Sequence, residues 1–274
     1  MSDSFLGLEG KNALILGGGQ GMGESSALLL AKAGANVAVA DMDAGRAEAV
    51  AAKVKALGRK SVALKVDAMD DGQLRDTIAR ADKELGGIDR MATIIGMAAW
   101  APLLDMSPEV WDLDHRRNLR YFFIAAQAVA GGLIKRKQSG AIVCITSVDG
   151  IQSAPYHASY GAAKAGLVNL VRSMSSEWAS RGVRVNAIAP GAIVTPRIPL
   201  KSKEEETEQM RLVPMQRRGT TDDIGKGVLF MLSDLASYVT GQTLAVDGGF
   251  TSVGPLDYSQ IGTAAGKGGT LGLK

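Results

Sequence analysis

Short apolar segments alternate with longer segments of helical periodicity along most of this sequence, and this alternation constrains the fold more than any other feature. The apolar segments predict strands at residues 12–16, 36–41, 61–67, 91–95, 141–146, 183–188 and 244–246. Parallel strands that are covered on both faces have such continuous apolar runs, and the segments between them can form crossover helices. We therefore predict an α/β fold, a single doubly wound domain with a seven-stranded parallel sheet and helices on both faces.

The predicted elements end near residue 252, so we expect residues 1–252 to form the domain and residues 253–274 a glycine-rich C-terminal tail. Residues 196–218 contain a charged patch and three prolines, and we expect them to form an irregular, variable loop over a substrate. Within the tail, residues 255–261 have apolar groups that we expect to cover part of a pocket. The alternative is a dispensable tail.

The first predicted strand leads into a glycine-rich loop and then into a helix. The loop has the spacing Gly17-x-x-x-Gly21-x-Gly23. Glycines there allow a tight turn and let backbone N–H groups approach a pyrophosphate, which then faces the positive end of the helix. Strand, loop and helix together predict a Rossmann-type dinucleotide site, the alternative being a purely structural turn.

The second predicted strand ends in Asp41, about twenty residues after the glycine loop. An acidic residue in this position is placed to bind the 2′-hydroxyl of an adenosine ribose, and it repels a 2′-phosphate. The neighbours Met42 and Asp43 are not basic, and the loop carries Gln20 rather than a cation. The pattern favours NAD over NADP as cofactor, unless Asp41 only caps the following helix.

Tyr160 and Lys164 stand four residues apart at the start of a predicted helix, and Ser147 follows the fifth predicted strand. Residues at positions i and i+4 share a helix face. A nearby cation favours the phenolate, so we expect the Lys164 ammonium, with a cationic cofactor ring, to lower the pKa of Tyr160 and make it an acid/base. The alternative is a helix-start tyrosine beside a solvated lysine.

Composition excludes several classes of function. A net charge of +3 over 274 residues does not indicate nucleic acid or an anionic membrane as a partner. We expect neither a signal peptide nor a membrane span. Cys144 is the single cysteine, so no internal disulfide can form, which favours a reducing, cytoplasmic location. His115 and His157 have no partners at metal-ligand spacing, so no metal site is expected.

Several motifs occur together: a glycine loop, a helix asparagine, a serine, a Y-x-x-x-K pair and P-G-x-x-x-T, at residues 17–23, Asn118, Ser147, Tyr160 with Lys164, and residues 190–195. With them, the sequence resembles the short-chain dehydrogenase/reductase family over about residues 6–252. The resemblance implies hydride transfer between a nicotinamide cofactor and a carbinol or carbonyl carbon. It also implies a homotetramer or dimer, with the Asn118 and Tyr160 helices at one interface.

The resemblance assigns roles to individual residues. It implies that Tyr160 is the acid/base and that Ser147 holds the substrate oxygen. It further implies that Lys164 binds the nicotinamide ribose and that Asn118 holds a water that relays the proton. The expected cofactor-binding residues are Gly17, Gly19, Gln20, Gly21, Met22, Gly23, Asp41, Met42, Asp67, Ala68, Ile94, Gly96, Tyr160, Lys164, Pro190, Gly191, Ile193 and Thr195. The expected substrate contacts are Met97, Trp100, Ser147, Tyr156, His157 and Ile198.

Two departures from the family pattern affect the cofactor site. Leu16 replaces the threonine before the glycine loop, and residues 93–96 read T-I-I-G where the family has N-N-A-G. Both changes remove polar groups that brace the same segment. We expect an apolar contact of Leu16 with Ile94 and Ile95 to compensate.

The substrate is the least constrained feature. Thioether and aromatic side chains in the pocket-bordering loops favour a bulky apolar secondary alcohol or ketone, such as a steroid, terpenoid or alicyclic compound. One alternative is a 3-oxoacyl thioester reductase, which Asp41 opposes because such enzymes usually take NADP. Another is an NAD-binding regulator or scaffold without turnover, which would not need the complete set of catalytic residues.

Overall fold

The computed structural model describes residues 5–253, and the expectations about the tail beyond them lie outside the described residues. Seven parallel strands form one sheet in the order β3-β2-β1-β4-β5-β6-β7, which confirms the predicted doubly wound fold. The strands are β1 Asn12–Leu16, β2 Asn36–Asp41, β3 Ser61–Lys65, β4 Arg90–Thr93, β5 Gly140–Ile145, β6 Val183–Pro190 and β7 Thr243–Val246. The helices are α1 Gly21–Lys32, α2 Ala44–Ala56, α3 Asp71–Leu85, α4 Pro108–His115, α5 Tyr121–Arg136, α6 Ala158–Trp178, α7 Lys203–Gln209 and α8 Thr221–Leu232.

The core has two apolar layers, one on each face of the sheet. Alternate side chains of a strand point to opposite faces, so Leu14 and Leu16 enter one layer while Ala13 and Ile15 enter the other. Helices α3, α5 and α6 cover the first layer, and α1, α2 and α8 cover the second. The strand order reverses between β1 and β4, and the carboxyl ends of these strands are where open α/β sheets form a ligand crevice.

Some strand boundaries differ from the predicted ones in ways that affect the site. The third strand ends at Lys65, and Asp67 lies in the following turn, where its Oδ1 accepts from the Met69 N–H at 2.9 Å. The fourth strand ends at Thr93, so Ile94 lies just beyond the sheet edge. Its N–H still donates to the Leu16 carbonyl at 2.8 Å, which keeps it next to the glycine loop.

The helix expected to carry Asn118 is interrupted. Helices α4 and α5 are separated by the π-helical segment Arg116–Arg120. The cause is local: Asn118 Nδ2 donates to the Asp114 carbonyl at 2.9 Å, the acceptor that a regular α-helix offers to the N–H of residue 118. π-Helical bulges of this kind often occur at functional sites.

Residues 196–218 are not irregular throughout, because α7 forms within them. Three glutamates lie in its first turn, where they interact favourably with the helix dipole. Helix α8 begins with a capping box, in which Thr220 and Asp223 bond each other's backbone N–H. No helix in residues 5–253 is long and apolar enough to cross a membrane.

Candidate active site

The four predicted catalytic residues meet at the carboxyl end of the central strands. Ser147 follows β5, Tyr160 lies in the first turn of α6, and Lys164 lies one turn later. Lys164 Nζ lies 5.5 Å from the centre of the Tyr160 ring, and the Ser147 side chain is near enough to lower the pKa of Tyr160 in part. Asn118 is fully buried in the π-helical segment between α4 and α5.

Gly96 lies in contact with the side chains of both Lys164 and Asn118. A Cβ atom on Gly96 would lie 3.2 Å from both Lys164 Nζ and Asn118 Oδ1. The Lys164 ammonium donates to the Ile145 carbonyl at 2.8 Å, which ties α6 to the end of β5. Asn118 Oδ1 accepts from the Met97 N–H at 3.1 Å while its Nδ2 donates to the Met97 carbonyl at 2.8 Å. Its side chain therefore fixes the backbone after Gly96, and the water relay stays a prediction.

The protein groups by themselves raise the pKa of Tyr160, and the lower pKa predicted with a cationic cofactor ring stays a prediction. Burial raises the pKa of Tyr160 to about 12, the Ser147 side chain lowers it in part, and the negative charges of Asp149 and Asp114 raise it further. Burial also lowers the pKa of Lys164 to about 8. Residue spacing indicates that an ammonium lies near the phenol, but it does not reveal that burial removes water from the phenol and so disfavours the phenolate. The protein groups alone keep Tyr160 a protonated acid at neutral pH.

Tyr121, which sequence analysis did not identify, holds the segment of residues 93–96 that differs from the family pattern. Its hydroxyl donates to the Ile95 carbonyl at 3.0 Å and lies 3.5 Å from Thr93 Oγ1. Ile95 packs against the same apolar layer as Leu16, whereas Ile94 packs against the opposite layer. The predicted apolar contact of Leu16 with Ile94 is therefore wrong, whereas Leu16 and Ile95 lie in the same layer and a tyrosine hydroxyl supplies a polar contact.

The glycine loop closes tightly on the sheet edge, as a dinucleotide cradle requires. Gly17 has φ +81°, and a Cβ there would lie 2.5 Å from the Ile94 carbonyl oxygen. A Cβ on Gly19 would lie 2.7 Å from the Asp41 carboxyl carbon. Helix α1 starts at Gly21, and its N-cap residue Gln20 makes no side-chain capping bond. A cradle that only glycine can fill, opening onto a helix N-terminus, fits a pyrophosphate.

Asp41 lies at the end of β2 and faces the loop. Its Oδ2 accepts from the Gly19 N–H at 2.9 Å and its Oδ1 from the Asp43 N–H at 3.1 Å. The helix cap predicted as the alternative is made by Asp43, whose side chain accepts from the Arg46 N–H. Arg46 itself, which sequence analysis passed over, lies beside the loop: its Cβ would be 2.7 Å from a Cβ on Gly19.

The P-G-x-x-x-T segment returns from β6 across the carboxyl ends of the strands. The Gly191 N–H donates to the Val246 carbonyl at 3.1 Å. Ile193 pairs with Gly219, and Thr195 forms a tight turn with Ile198. A Cβ on Gly21 would lie 3.5 Å from Pro196 Cδ, so this segment lies opposite the glycine loop. Predicted cofactor-binding residues from both sides of the crevice therefore lie close together. Two others differ, since Met42 is exposed and Ala68 packs against the first apolar layer.

Three of the predicted substrate residues form one cluster. The Trp100 ring packs edge-on against His157, and the Ala101 N–H donates to the Tyr156 carbonyl at 3.0 Å. Tyr156 has φ +62°, an uncommon conformation for a large residue. Met97, Trp100, Tyr156 and Ile198 are all exposed, and Ile198 lies on the separate 195–198 turn. An adjoining cavity of about 540 Å³ is lined by Leu103 and residues 149–156 rather than by the catalytic side chains.

Arg218 holds the substrate loop, and sequence analysis did not identify it. Its guanidinium is buried and donates to the carbonyls of Ile193, Ile198 and Pro199 at 2.9, 2.9 and 3.1 Å. It also pairs with Glu206 of α7 at 3.0 Å. One side chain therefore connects the cofactor segment to α7. Its only sequence signal is a second arginine before the capping box. Within residues 5–253, no group of His, Cys, Asp and Glu could hold a metal.

Comparison with known proteins gives matches along nearly the whole domain. Residues 17–251 match the family model described as enoyl-(acyl carrier protein) reductase. The chain is 36% identical over 240 residues to the 3-oxoacyl-[acyl-carrier-protein] reductase FabG of Staphylococcus epidermidis, covering 87% of this chain and 98% of that protein.

Solved structures give the same result. A short-chain type dehydrogenase/reductase from Mycobacterium marinum superposes with a TM-score of 0.83 and 30% identity, over 91% of this chain and 98% of that one. A 7α-hydroxysteroid dehydrogenase complexed with NADH and 7-oxo glycochenodeoxycholic acid superposes with a TM-score of 0.85 and 33% identity, over 91% and 97% of the two chains.

Proposed function

This chain belongs to the short-chain dehydrogenase/reductase family, and from that premise we propose that it interconverts a ketone and a secondary alcohol with a nicotinamide cofactor. The observation that carries the proposal is the convergence of Ser147, Tyr160 and Lys164 at the edge of the glycine-loop crevice. The cofactor would supply and accept the hydride. The glycine loop, Asp41 and the 190–195 segment would hold it.

The side chains of the site would bind the substrate oxygen and transfer its proton. Ser147 donates a hydrogen bond to the substrate oxygen. Tyr160 gives its proton to that oxygen in reduction and removes the hydroxyl proton in oxidation. The raised pKa of Tyr160 keeps the phenol protonated at neutral pH, which is the form that donates a proton in reduction. Lys164, held on the Ile145 carbonyl, places a cation near the phenol, where it favours proton release in oxidation.

NAD is the proposed cofactor because Asp41 presents a carboxylate beside the Gly19 N–H. The carboxylate can accept hydrogen bonds from ribose hydroxyls and repels an added phosphate. Arg46 opposes this preference, since its stem passes next to Gly19, but its guanidinium is drawn toward Asp43 at 3.6 Å. The balance therefore favours NAD.

A 3-oxoacyl thioester is the first substrate class to test, because the FabG protein matched over nearly its whole length carries that activity in its name. The second class is a bulky apolar ketone or alcohol. It is favoured by the exposed Met97, Trp100 and Tyr156 on the loops beside the catalytic residues, and by the hydroxysteroid dehydrogenase among the structural neighbours.

One panel separates these functions. Purified protein is assayed with NADH and NADPH against acetoacetyl thioesters and against cyclic and steroid ketones, and with NAD and NADP against the matching alcohols. Turnover of the thioester supports the first class, and turnover of the cyclic compounds alone supports the second. Cofactor binding without any turnover would instead indicate a regulator or scaffold and overturn the proposal.

A further inference from the structure

Asp149 and His157 form a side-chain pair beside the catalytic residues, and this pair takes no part in the proton transfer described above. His157 Nδ1 lies 3.2 Å from Asp149 Oδ2. The two side chains are only 14% and 24% exposed, so water does not separate them. A partly buried carboxylate of this kind orients the ring by accepting the Nδ1–H.

The pair contacts both Ser147 and Tyr160. The His157 and Tyr160 rings meet edge to face, with centroids 5.8 Å apart. On the other side, the backbone N–H of Asp149 donates to Ser147 Oγ at 3.1 Å, which fixes the backbone at residue 149 beside the catalytic serine. His157 Nε2 is buried without a hydrogen-bond partner among residues 5–253, so the ring is held by Asp149 and by its two aromatic neighbours.

This placement gives the pair an electrostatic effect on Tyr160. A carboxylate near a phenol disfavours the phenolate, and its Nδ1–H partner cancels part of that field. The other charged or titratable groups near Tyr160 come from the segments packed around it, namely Asp114 with Arg117, Lys164, and the buried phenol of Tyr121. Arg117 lies 2.5 Å from Asp114 and offsets the charge of that carboxylate. Asp149 differs, because its partner is the imidazole of His157.

We propose that the Asp149–His157 pair sets the pH range of proton transfer at Tyr160, with His157 as a positioning residue that shields the phenol from the Asp149 carboxylate. This inference rests on the proposed function of Tyr160. It predicts shifts of opposite sign for the two members of the pair, because one supplies the negative charge and the other reduces it.

The test compares pH profiles of kcat/KM for alcohol oxidation in four proteins: wild type, Asp149→Asn, His157→Phe and the double variant. The rising limb reports ionisation of the catalytic base. Asp149→Asn should move it to lower pH and His157→Phe to higher pH, each by about one pH unit. The double variant should behave as Asp149→Asn alone, because without the carboxylate the imidazole has nothing to shield.

The chain offers a matched control, since its other histidine, His115, is partly buried and bonds to the Trp111 carbonyl, away from Tyr160. His115→Phe should leave the profile unchanged. Shifts of the same sign in both single variants, or lower rates without a shift, would overturn the proposal. Because Asp149→Asn preserves shape, it remains decisive even if His157→Phe does not fold.

A second readout does not need turnover. The tyrosinate absorbance of each protein is titrated and compared with its Tyr160→Phe counterpart, which isolates the phenol of interest. The midpoint should fall in Asp149→Asn and rise in His157→Phe. If the wild type turns over none of the substrates but these midpoints move as expected, the proposed function fails while the electrostatic role of the pair holds. If the midpoints do not move, the pair has no such role.

Discussion

At Tyr160, one oxygen atom decides between catalysis and mere binding. The phenol is buried beside Ser147, and Lys164 lies over its ring. In the proposed mechanism no other side chain acts as the acid or base. Tyr160→Phe should therefore fold and bind NAD, yet lose nearly all turnover. Circular dichroism and cofactor titration check the first expectation, and steady-state kinetics check the second. A variant that kept a tenth of wild-type kcat, a barrier change of only about 1.4 kcal/mol, would contradict the acid/base assignment.

Asp41 should determine the choice of cofactor through its charge rather than its shape. Asp41→Asn keeps an acceptor for the Gly19 N–H but removes the repulsion of a 2′-phosphate. We expect the ratio of kcat/KM for NADP to that for NAD to rise roughly tenfold, and further when Met42→Arg is added. Arg46→Met in the Asn background should reverse part of the gain. If wild-type protein already uses NADP as well as NAD, this interpretation fails.

At the scale of elements, the substrate loop depends on a single guanidinium. Arg218→Met removes four hydrogen bonds from the segment that carries Ile198 and α7. The loop should loosen, so KM for the substrate should rise about tenfold, with a smaller change in kcat, because uniform binding is lost.

The neighbouring Arg217 provides a control, because it is half-exposed and makes only a surface ion pair with Asp223 and one hydrogen bond to the Arg218 carbonyl. Such pairs contribute about 1 kcal/mol or less, so Arg217→Met should leave KM nearly unchanged. Brief trypsin treatment gives an independent measurement. Cleavage at Lys201 and Lys203 should be faster in Arg218→Met than in Arg217→Met, and equal rates would show that Arg218 does not hold the loop.

For the whole molecule, we propose a homotetramer, with α4, α5 and α6 at one interface. Phe123 on α5 is 45% exposed, and Trp111 and Leu113 of α4 are similarly uncovered. Exposed large apolar groups on adjacent helices are typical of an interaction site. Light scattering should give about four times 28.5 kDa for the wild type.

The variant Phe123→Glu should reduce that mass by placing a charge in the interface. Leu57→Glu is the control, because Leu57 is 39% exposed but follows α2 on the other side of the sheet. A wild-type mass equal to one chain would refute the assembly. A loss of mass in both variants would show that the effect is not specific to this face.

The sequence by itself determined the sheet, its helices and the position of the crevice. Apolar periodicity depends only on neighbouring residues, so it located seven strands, and the glycine spacing located the loop that follows the first of them. Tyr160 and Lys164 were predictable for the same reason, since i and i+4 share a helix face wherever the helix lies. The predicted boundaries failed where a side chain competes with the backbone, as Asn118 does at the π-helical segment.

Only the tertiary structure decided what surrounds those residues. Tyr121 reaches Ile95 across 26 positions of the chain, and Arg218 reaches Ile193 across 25. His157 meets Asp149 only because a loop turns back beside the catalytic serine. The direction of the Tyr160 pKa likewise follows from burial, which is a property of the packed molecule. Local patterns record which face of an element is apolar, whereas long-range hydrogen bonds and desolvation depend on how the elements pack together.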